Sequence, residues 1–345
     1  TNHPAAPVHW LTIQEHFGDL VVGTYGRGFW ILDDITPLQR MTQETLDSEV
    51  HLFTPRPAYR FRDIAGPSGA PSDPCTGQNP SYGASISYYL KSEPKEEVVI
   101  TILDEKEQIV RTIKTEKPED LEEDYYSQEP ARAFKVAKQS GLNRIWWDLR
   151  YDRTKMIKLR TLPIGHEHVE LGSKGWRAFP RGSRRSGPLV PPGVYMVKLE
   201  VGDKVFTRKL EVKKDPHSAG TEADILAQTE VMLEIYRNID TVADMINRIE
   251  WIRRQIYDLK EILREKGGAE SIIEAGDTLD HKLIDIEGFF FSMELTGSGD
   301  DLRWPDKFYV KLHFLANDIG KSDFPPTTQQ LEVHRMFSEQ LDDYQ

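Results

Sequence analysis

The sequence predicts a multidomain protein in which β-structure is followed by α-structure. Three observations support this fold class. The 345 residues are enough for two or three domains. Residues 84–213 consist largely of short alternating apolar runs separated by turn residues, a pattern typical of strands. From about residue 221 onward, apolar residues recur at steps of three and four, which is typical of helices.

The first element is a predicted β-hairpin over residues 20–34, with the sequence LVVGTYGRGFWILDD. Its two apolar runs flank Gly23, Gly26 and Gly28, which supply turn and close-approach positions that larger residues would block. Two strands alone are marginally stable in water, and the roughly twenty residues before them are too few to complete a sheet. We therefore expect the chain to begin inside a larger β-domain.

Two connecting segments are predicted after the hairpin. The tail HLFTPRPAYRF contains Pro55 and Pro57, which favour an extended strap at the end of a first region, residues 1–60. Residues 61–83 are dense in Gly, Pro and Ser and predict a linker.

The strand-rich region, residues 84–213, predicts a β-sandwich of the immunoglobulin or fibronectin type III kind, for which about seven short strands with turn signals are typical. An acidic stretch at 115–135 and an irregular insertion at 152–190 interrupt the pattern. Long loops of this kind are functional or pack on a partner domain. The predicted strands are 84–90, 98–103, 108–114, 141–149, 194–201 and 204–212.

The last region, residues 214–345, predicts an antiparallel helical bundle. A long amphipathic helix begins near residue 221 and ends at Gly267-Gly268. A second helix carries an apolar stripe at 279–293 and ends near Gly297, and a third covers 308–319. Thr327 and Gln330 form a predicted capping box for a fourth helix. Its predicted inward residues are Leu331, His334, Phe337 and Leu341, and we expect His334 to be a satisfied interior histidine.

Charge argues against wholesale nucleic-acid binding, since the formal net charge is −12 and the isoelectric point about 5.4. A local basic cluster, Arg177 with Arg181, Arg184 and Arg185, could hold a phosphate group. A solvated loop, or one that docks on an acidic neighbouring domain, is the favoured interpretation.

Cysteine and apolar content exclude two further classes. Cys75 is the single cysteine, so no disulfide forms within the chain, and no evident base accompanies it for nucleophilic catalysis. No apolar run reaches about 18 residues, so no membrane span is predicted. No signal-peptide pattern follows Thr1, which says nothing about export if the chain begins within a longer protein.

The hairpin LVVGTYGRGFWILDDITPLQ resembles the closing segment of the sortilin-like BNR-repeat β-propeller proteins of bacteria, with Tyr25 where that pattern has a histidine. The likeness covers nearly all of the chain. Further segments that resemble this family are FTPRPAYRF, NPSYGASISYYL, GLNRIWWDLRY, PLVPPGVYMVKLEVG and PPTTQQLEVHRMFSEQL.

The resemblance implies a large exported propeller followed by a sandwich and a helical bundle. Residues 1–60 would then hold the closing strands of the propeller plus the strap, and the remainder of the propeller would be the main partner, in the same protein or a separate chain. Members are commonly labelled glycosyl hydrolase by analogy with sialidase-like and xyloglucanase-like propellers. The Asp-box pattern of such blades, Ser-x-Asp-x-Gly-x-Thr-Trp, is absent from the sequence.

Candidate catalytic groups within the chain favour structural interpretations. A glycosidase needs two carboxylates roughly 5 Å or 6.5–9.5 Å apart. Asp33 and Asp34 are adjacent on a strand, so they point to opposite faces and cannot be the acid and nucleophile. A turn-forming or strand-capping role is expected. Residues 23–28 lack the helix and Lys-Ser/Thr of a phosphate loop, and we expect a hairpin turn in which Arg27 contacts a neighbouring blade.

Metal and sugar binding are weighed in the same way. His166-Glu167-His168 with Glu170 could bind zinc if it formed a strand, because both histidines would then share a face. No HExxH motif or second ligand cluster supports this. The acidic tracts 116–123 and Asp300-Asp301 lack the ligand spacing of calcium loops and are expected to be solvated. The candidate sugar-stacking residues, for which core or interface positions are favoured, are Trp146, Trp147, Trp176, Trp251 and Trp304.

No catalytic, cofactor-binding or metal-ligating residue is therefore assigned within the chain. Three functional hypotheses remain open. The first is a non-catalytic scaffold that closes a propeller and mediates assembly or ligand binding. The second is part of a glycoside hydrolase whose carboxylates lie outside this chain. The third is a carbohydrate- or peptide-binding module that uses the insertion 152–190.

Overall fold

The computed structural model describes residues 5–62, 80–115, 136–180, 185–297 and 299–344. The chain is a mixed β and α protein, with strands in several sheets and a helical C-terminal region. It divides into two compact units. Unit 1 comprises the described residues up to Tyr151 together with Leu189–Ser218, and unit 2 comprises those of Asp152–Pro188 and of Ala219–Gln345.

Unit 1 opens with a three-stranded antiparallel sheet, which we call the N-terminal sheet. Its strands are β1 (Val8–Gln14), β2 (Asp19–Thr24) and β3 (Phe29–Leu32), in that order. The predicted hairpin is confirmed, because β2 and β3 pair from Leu20 opposite Leu32 to Gly23 opposite Phe29. The residues before the hairpin do more than the sequence indicated, since β1 adds a third strand along β2.

Four short elements follow the N-terminal sheet, and the last two, both strands, overlap the predicted strap HLFTPRPAYRF. The strap does not simply run over the surface, because its two strands join two different sheets. The elements are α1 (Thr36–Gln39), α2 (Gln43–Asp47), β4 (Val50–Leu52) and β5 (Ala58–Arg60).

The remaining strands of unit 1 form a five-stranded sheet, in the order β5-β13-β12-β7-β8, and a three-stranded sheet, in the order β4-β6-β9. The strand bounds agree with the predicted strands to within two residues. They are β6 (Ala84–Leu90), β7 (Val98–Leu103), β8 (Ile109–Lys114), β9 (Gly141–Trp147), β12 (Gly193–Val201) and β13 (Lys204–Lys214).

One hydrophobic core serves both of these sheets. Alternate residues of β12 point inward, so Tyr195, Val197 and Leu199 are buried. Ile86 of β6 and Trp147 of β9 belong to the same cluster. The core thus holds unit 1 together from residue 50 to residue 212.

Unit 2 combines the helices with the irregular insertion. A two-stranded ribbon, β10 (Lys158–Leu159) with β11 (Arg177–Ala178), comes from the insertion. Ile157 and Leu159 lie in the core formed by the helices. The helices are α3 (Glu222–Lys266), α4 (Glu270–Phe290), α5 (Phe308–Ile319) and α6 (Thr328–Asp342).

The helix ends follow their capping residues. The capping box of Thr327 and Gln330 is confirmed, and α3 ends at Gly267, which adopts a φ of 71°. The predicted end of the second helix near Gly297 was wrong, because the chain becomes extended at Phe291. Leu331 was also wrongly placed inward and is 43% exposed. Among the described residues, no helix is both long and apolar enough to cross a membrane.

Candidate functional site

The N-terminal sheet is apolar on both faces. Its register puts Leu11, Val22 and Trp30 beside one another on one face. On the other face Trp10 and Phe29 flank Gly23 and are 72% and 82% exposed. A sheet in water ordinarily buries at least one apolar face. Large apolar residues exposed on this sheet and its turn are Val8, Trp10, Leu11, Ile13, Tyr25, Phe29, Ile31 and Leu32.

From Trp10 to Gln14 the outer edge of β1 has none of the usual protection of an edge strand. Its sequence, VHWLTIQ, contains no charged residue and no proline, and all seven residues are exposed. Edge strands that stay unpaired normally carry charges, proline or a bulge that directs them away from other strands. β1 is irregular only between Val8 and Trp10. From Trp10 to Gln14 it offers a regular edge for another strand.

The turn between β2 and β3 is closed by its own main chain. The amide and hydroxyl of Thr24 both donate to the carbonyl of Gly28, at 3.2 and 2.7 Å. The Trp30 indole donates to the Arg27 carbonyl at 3.0 Å. Gly26 and Gly28 adopt φ values of 73° and 70°, which side chains rarely adopt. The glycines thus shape a hairpin turn, and β3 rather than a helix follows it.

The chain leaves the sheet through Asp33 and Asp34, which are held in place by charge-assisted contacts within unit 1. Arg144 of β9 donates from Nη1 to the Asp33 carbonyl at 2.8 Å and from Nη2 to the Asp34 carbonyl at 2.6 Å. The same guanidinium reaches the Ser87 hydroxyl of β6 at 3.3 Å. The N-terminal sheet is therefore fixed to the sheet that contains β6 and β9.

The side chain of Asp34 completes this anchor. It is 2% exposed, and its Oδ1 accepts from the Thr36 hydroxyl at 2.5 Å. Its Oδ2 lies 3.7 Å from Arg56 Nε, and its amide donates to the Asp19 carboxylate at 2.8 Å. Asp34 also adopts a φ of 49°, which an aspartate tolerates better than most residues. Burial, followed by repulsion from Asp19, raises the pKa of the Asp33 carboxyl.

A second cluster of charged groups is buried in unit 2. Glu287 is fully buried and accepts from Arg253 Nη1 at 2.8 Å, while Arg253 Nε donates to Asp280 at 2.9 Å. Glu250 accepts from the amide and hydroxyl of Thr161, at 2.7 and 2.9 Å. Burial and the nearby Glu250 raise the pKa of the Glu287 carboxyl well above its usual range. The cluster joins α3, α4 and the insertion.

The histidine-rich segment does not form the strand on which the zinc hypothesis depended. The rings of His166 and His168 lie 5.8 Å apart in an edge-on arrangement, within a stretch of turns. Within the described part of the chain, no three His, Cys, Asp or Glu side chains are grouped so as to hold a metal ion.

The basic cluster is only partly described, since Arg181 and Arg184 lie outside the described residues. Arg177 donates to the Leu295 carbonyl at 3.0 Å, and burial lowers its pKa to about 10. Arg185 is 7% exposed and donates to the Thr154 carbonyl at 3.1 Å. Both described arginines therefore hold main-chain carbonyls inside unit 2.

The candidate sugar-stacking residues are scattered. Trp147 and Trp176 are buried, and Trp146 is partly buried. Trp251 is 52% exposed, with the guanidinium of Arg160 4.1 Å from its ring centre. Trp304 is partly buried beside Arg303, whose guanidinium lies 5.2 Å from its ring centre.

Several further candidates have structural contacts or are not described. Asp300 accepts from the amide and hydroxyl of Thr296, at 2.6 and 2.8 Å, which makes it a turn residue. His334 is 9% exposed and lies 3.0 Å from Glu234. Cys75 and the acidic tract 116–123 lie outside the described residues.

Sequence reasoning missed the residues that hold these clusters together. Arg144 stands between two inward residues of β9, as a solvent-facing residue would, so the pattern gives no signal for its role. Glu287 could have been found, because it lies on the inward stripe of α4 between Leu283 and Phe290. A carboxylate on an apolar stripe is a signal of a buried charge.

The comparisons with known proteins add no relative. No protein-family model matches the chain, and no curated protein was found to be similar to it.

Proposed function

We propose that this chain is the non-catalytic C-terminal scaffold region of an exported sortilin-like BNR β-propeller protein. In this proposal the N-terminal sheet belongs to the closing blade of the propeller. The two sheets that share a core are an immunoglobulin-like sandwich, and the C-terminal helices are an antiparallel bundle. Their role is to hold the closing blade in place and to mediate assembly or ligand binding.

The observation that carries the proposal is the exposure of both faces of the N-terminal sheet. Trp10 and Phe29 on one face and Leu11 and Leu32 on the other are all at least half exposed in the chain alone. A propeller blade is covered on both faces, because it stands between two neighbouring blades. A sheet on the surface of a sandwich would be covered on one face only.

The unprotected edge of β1 supports the same proposal. Propeller blades typically have four strands, and the N-terminal sheet has three. A fourth strand along Trp10–Gln14 would satisfy the free main-chain groups of β1 and leave no long apolar edge.

The anchor at the exit of the sheet supports a scaffold role. Arg144 fixes Asp33 and Asp34, and Arg56 donates to the Phe17 carbonyl at 2.7 Å while its guanidinium stacks 5.1 Å from the Phe17 ring centre. The N-terminal sheet is thus bonded to the rest of unit 1 at two points, after β3 and at the turn between β1 and β2. We expect these bonds to stabilise the blade.

The proposal is tested on the protein in its natural source. Antibodies against this chain would capture the native protein, and intact-mass and peptide mass spectrometry would then identify every residue linked or tightly bound to it. We expect β-propeller blades with Asp boxes, either before Thr1 or in a companion polypeptide. A native protein that starts at Thr1 and has no companion would contradict the proposal.

A further inference from the structure

Part of the insertion lies along α3 and is bonded to side chains of that helix. We call it the docked segment, residues 155–161. The Lys155 amide donates to Asp240 Oδ1 at 2.7 Å, and the Lys158 amide donates to Asn247 Oδ1 at 2.8 Å. Acceptors seven residues apart lie on the same side of a helix. One side of α3 therefore holds the main chain of the docked segment.

Glu250 is the next acceptor along α3 and receives the most bonds from the docked segment. Its Oε2 accepts from the amides of Arg160 and Thr161, the latter at 2.7 Å. Its Oε1 accepts from the Thr161 hydroxyl at 2.9 Å. Glu250 is 1% exposed. Three donors directed at one buried carboxyl group favour its charged form.

Glu287 of α4 is the neighbouring carboxyl group, and one of its oxygens receives no donor. The side chain is fully buried, and its Oε2 accepts from Arg253 Nη1 at 2.8 Å. Among the described residues, no hydrogen-bond donor reaches its Oε1. Burial, then repulsion from Glu250 and a hydrogen bond with Glu250, raise the pKa of the Glu287 carboxyl against the opposing effect of Arg253. A protonated Glu287 can donate to Glu250, whereas an ionised one leaves a buried oxygen without a partner.

One guanidinium group serves three carboxyl groups at this point. Arg253 Nη1 lies 2.8 Å from Glu287 and 3.9 Å from Glu250, and Arg253 Nε lies 2.9 Å from Asp280. If all three carboxyl groups were ionised, three negative charges would face one positive charge in a largely buried setting, which is costly. A single proton between Glu250 and Glu287 removes one of these charges and gives Glu287 Oε1 a hydrogen bond.

The other cations near the pair are bonded to main-chain carbonyls. Arg160 donates to the Lys158 carbonyl at 2.8 Å, and Arg177 donates to the Leu295 carbonyl at 3.0 Å. Lys307, which precedes α5, donates to a carbonyl of α4 at 2.9 Å. Burial lowers the pKa of Arg177 to about 10, as expected for a cation that no contacting carboxylate neutralises. Arg253 is therefore the cation that contacts the two glutamates.

We propose that Glu250 and Glu287 share one proton in the folded protein, and that this proton latches the docked segment to α3. When a base in the solvent removes the proton, two carboxylates remain in a buried contact and repel each other. Movement of Glu250 away from α4 relieves this repulsion and breaks its bonds to Arg160 and Thr161. The latch thus closes at lower pH and opens at higher pH.

Amide hydrogen exchange of the docked segment tests the proposal in the full chain, at pH values from 5 to 8 and after correction for the intrinsic exchange rate at each pH. The closed segment holds a proton that the open segment lacks. Opening should therefore become about tenfold more favourable for each pH unit above about 4.5, until the proton has left the closed state. Protection of the Arg160 and Thr161 amides should fall by the same factor, whereas α6 should show no such loss.

Glu287→Gln isolates the shared proton, because glutamine can donate to Glu250 but cannot ionise. The ratio of protection in Glu287→Gln to that in the wild type should rise about tenfold per pH unit over the same interval. This ratio cancels the contribution of Asp240, whose pKa burial also raises, since Asp240 is present in both proteins. Glu339→Gln, at an exposed site, is the matched control and should follow the wild type.

Infrared spectroscopy of the wild type keeps the test decisive if Glu287→Gln does not fold. At pH 6 the spectrum should contain the carbonyl band of a buried protonated carboxyl group. This band should disappear over the pH interval in which the docked segment loses protection. Protection that does not change with pH, an equal fall in Glu287→Gln and wild type, or the absence of the protonated carboxyl band would each overturn the proposal.

Discussion

Arg144 holds the end of the hairpin by two hydrogen bonds: Nη1 donates to the Asp33 carbonyl at 2.8 Å, and Nη2 donates to the Asp34 carbonyl at 2.6 Å. One side chain of β9 thereby fixes the exit of a strand about 110 residues earlier in the sequence. Two charge-assisted hydrogen bonds to main-chain carbonyls leave this segment little freedom to move.

Arg144→Gln removes both of these bonds and should loosen the hairpin exit. Hydrogen bonds that involve a charged group contribute about 1.5–3 kcal/mol each, so the loss of two should lower the free energy of unfolding by about 3 kcal/mol or more. Amide hydrogen exchange in β2 and β3 should become faster. Arg208→Gln is the control, since Arg208 is half-buried and, among the described residues, donates to the carbonyl of the adjacent Thr207 rather than to another element. Unchanged exchange in β2 and β3 would contradict the anchor role of Arg144.

Gly83→Ala should be severely destabilising. A Cβ at this position would lie 1.9 Å from the Trp147 carbonyl oxygen, and Gly83 adopts a φ of 109°. Both the clash and the backbone strain oppose any side chain, so we expect a loss above about 3 kcal/mol in urea unfolding, or no folded protein. Gly193→Ala meets only the Tyr195 ring at 3.9 Å and should lie within about 0.5 kcal/mol of the wild type. Equal stability of Gly83→Ala and Gly193→Ala would contradict the close approach of Gly83 to the Trp147 carbonyl.

His313 should make unit 2 sensitive to mild acid. The side chain is 4% exposed, and Nε2 has no hydrogen-bond partner among the residues that the structure describes. Burial lowers the pKa of the His313 imidazole to about 3. The unfolded chain takes up a proton below about pH 6.5, whereas the folded chain does not, so stability falls as the pH drops below 6.5.

The measurement is the free energy of unfolding of His313→Gln and wild type at pH 7 and pH 5. Between pH 7 and pH 5 the wild type should lose about 2 kcal/mol more stability than the variant. His217→Gln, at an exposed position, should follow the wild type. An equal loss in His313→Gln and wild type would show that His313 is not the group responsible.

Glu287→Gln tests the buried charge cluster. The raised pKa means that the folded state holds a proton on Glu287 at pH values where the unfolded chain has lost it. Wild-type stability therefore falls as the pH rises from about 4.5 towards the raised pKa. Glutamine cannot lose a proton, so Glu287→Gln should gain stability relative to wild type across that interval. Glu339→Gln, at an exposed site, should show no such gain in stability across this interval. A similar gain in Glu339→Gln would contradict the conclusion that the effect comes from the buried Glu287.

The sequence pattern predicted the bounds of an element well where residues at its own ends, such as caps and turn residues, set those bounds. The capping box of Thr327, the stop at Gly267 and the strands of the two-sheet core all follow from short-range rules. The end of α4 could not be read in this way, since Phe291 and Met293 continue the apolar stripe although the chain has left the helix. Their burial comes from tertiary packing, which periodicity alone does not distinguish from helix.

The candidate site was only half visible in the sequence. The two apolar runs and the glycine-rich turn predicted the hairpin. β1 was missed although Pro7 and Gly18 bound its segment, because the residues before the hairpin were judged too few to complete a sheet. The anchor was missed for a different reason. Arg144 and Asp34 are brought together by the pairing of β6 with β9 and by the path of the chain after β3, which a pattern of residues does not encode.

The central claim is that the N-terminal sheet is covered on both faces in the native protein. Hydrogen exchange read by mass spectrometry over residues 8–32 tests it most directly, in the intact protein from its natural source and in the 345-residue chain alone. The account predicts slow exchange of β1 amides in the intact protein and fast exchange in the isolated chain, with β6 and β9 equally protected in both. Equally fast exchange of β1 in the two samples would contradict it.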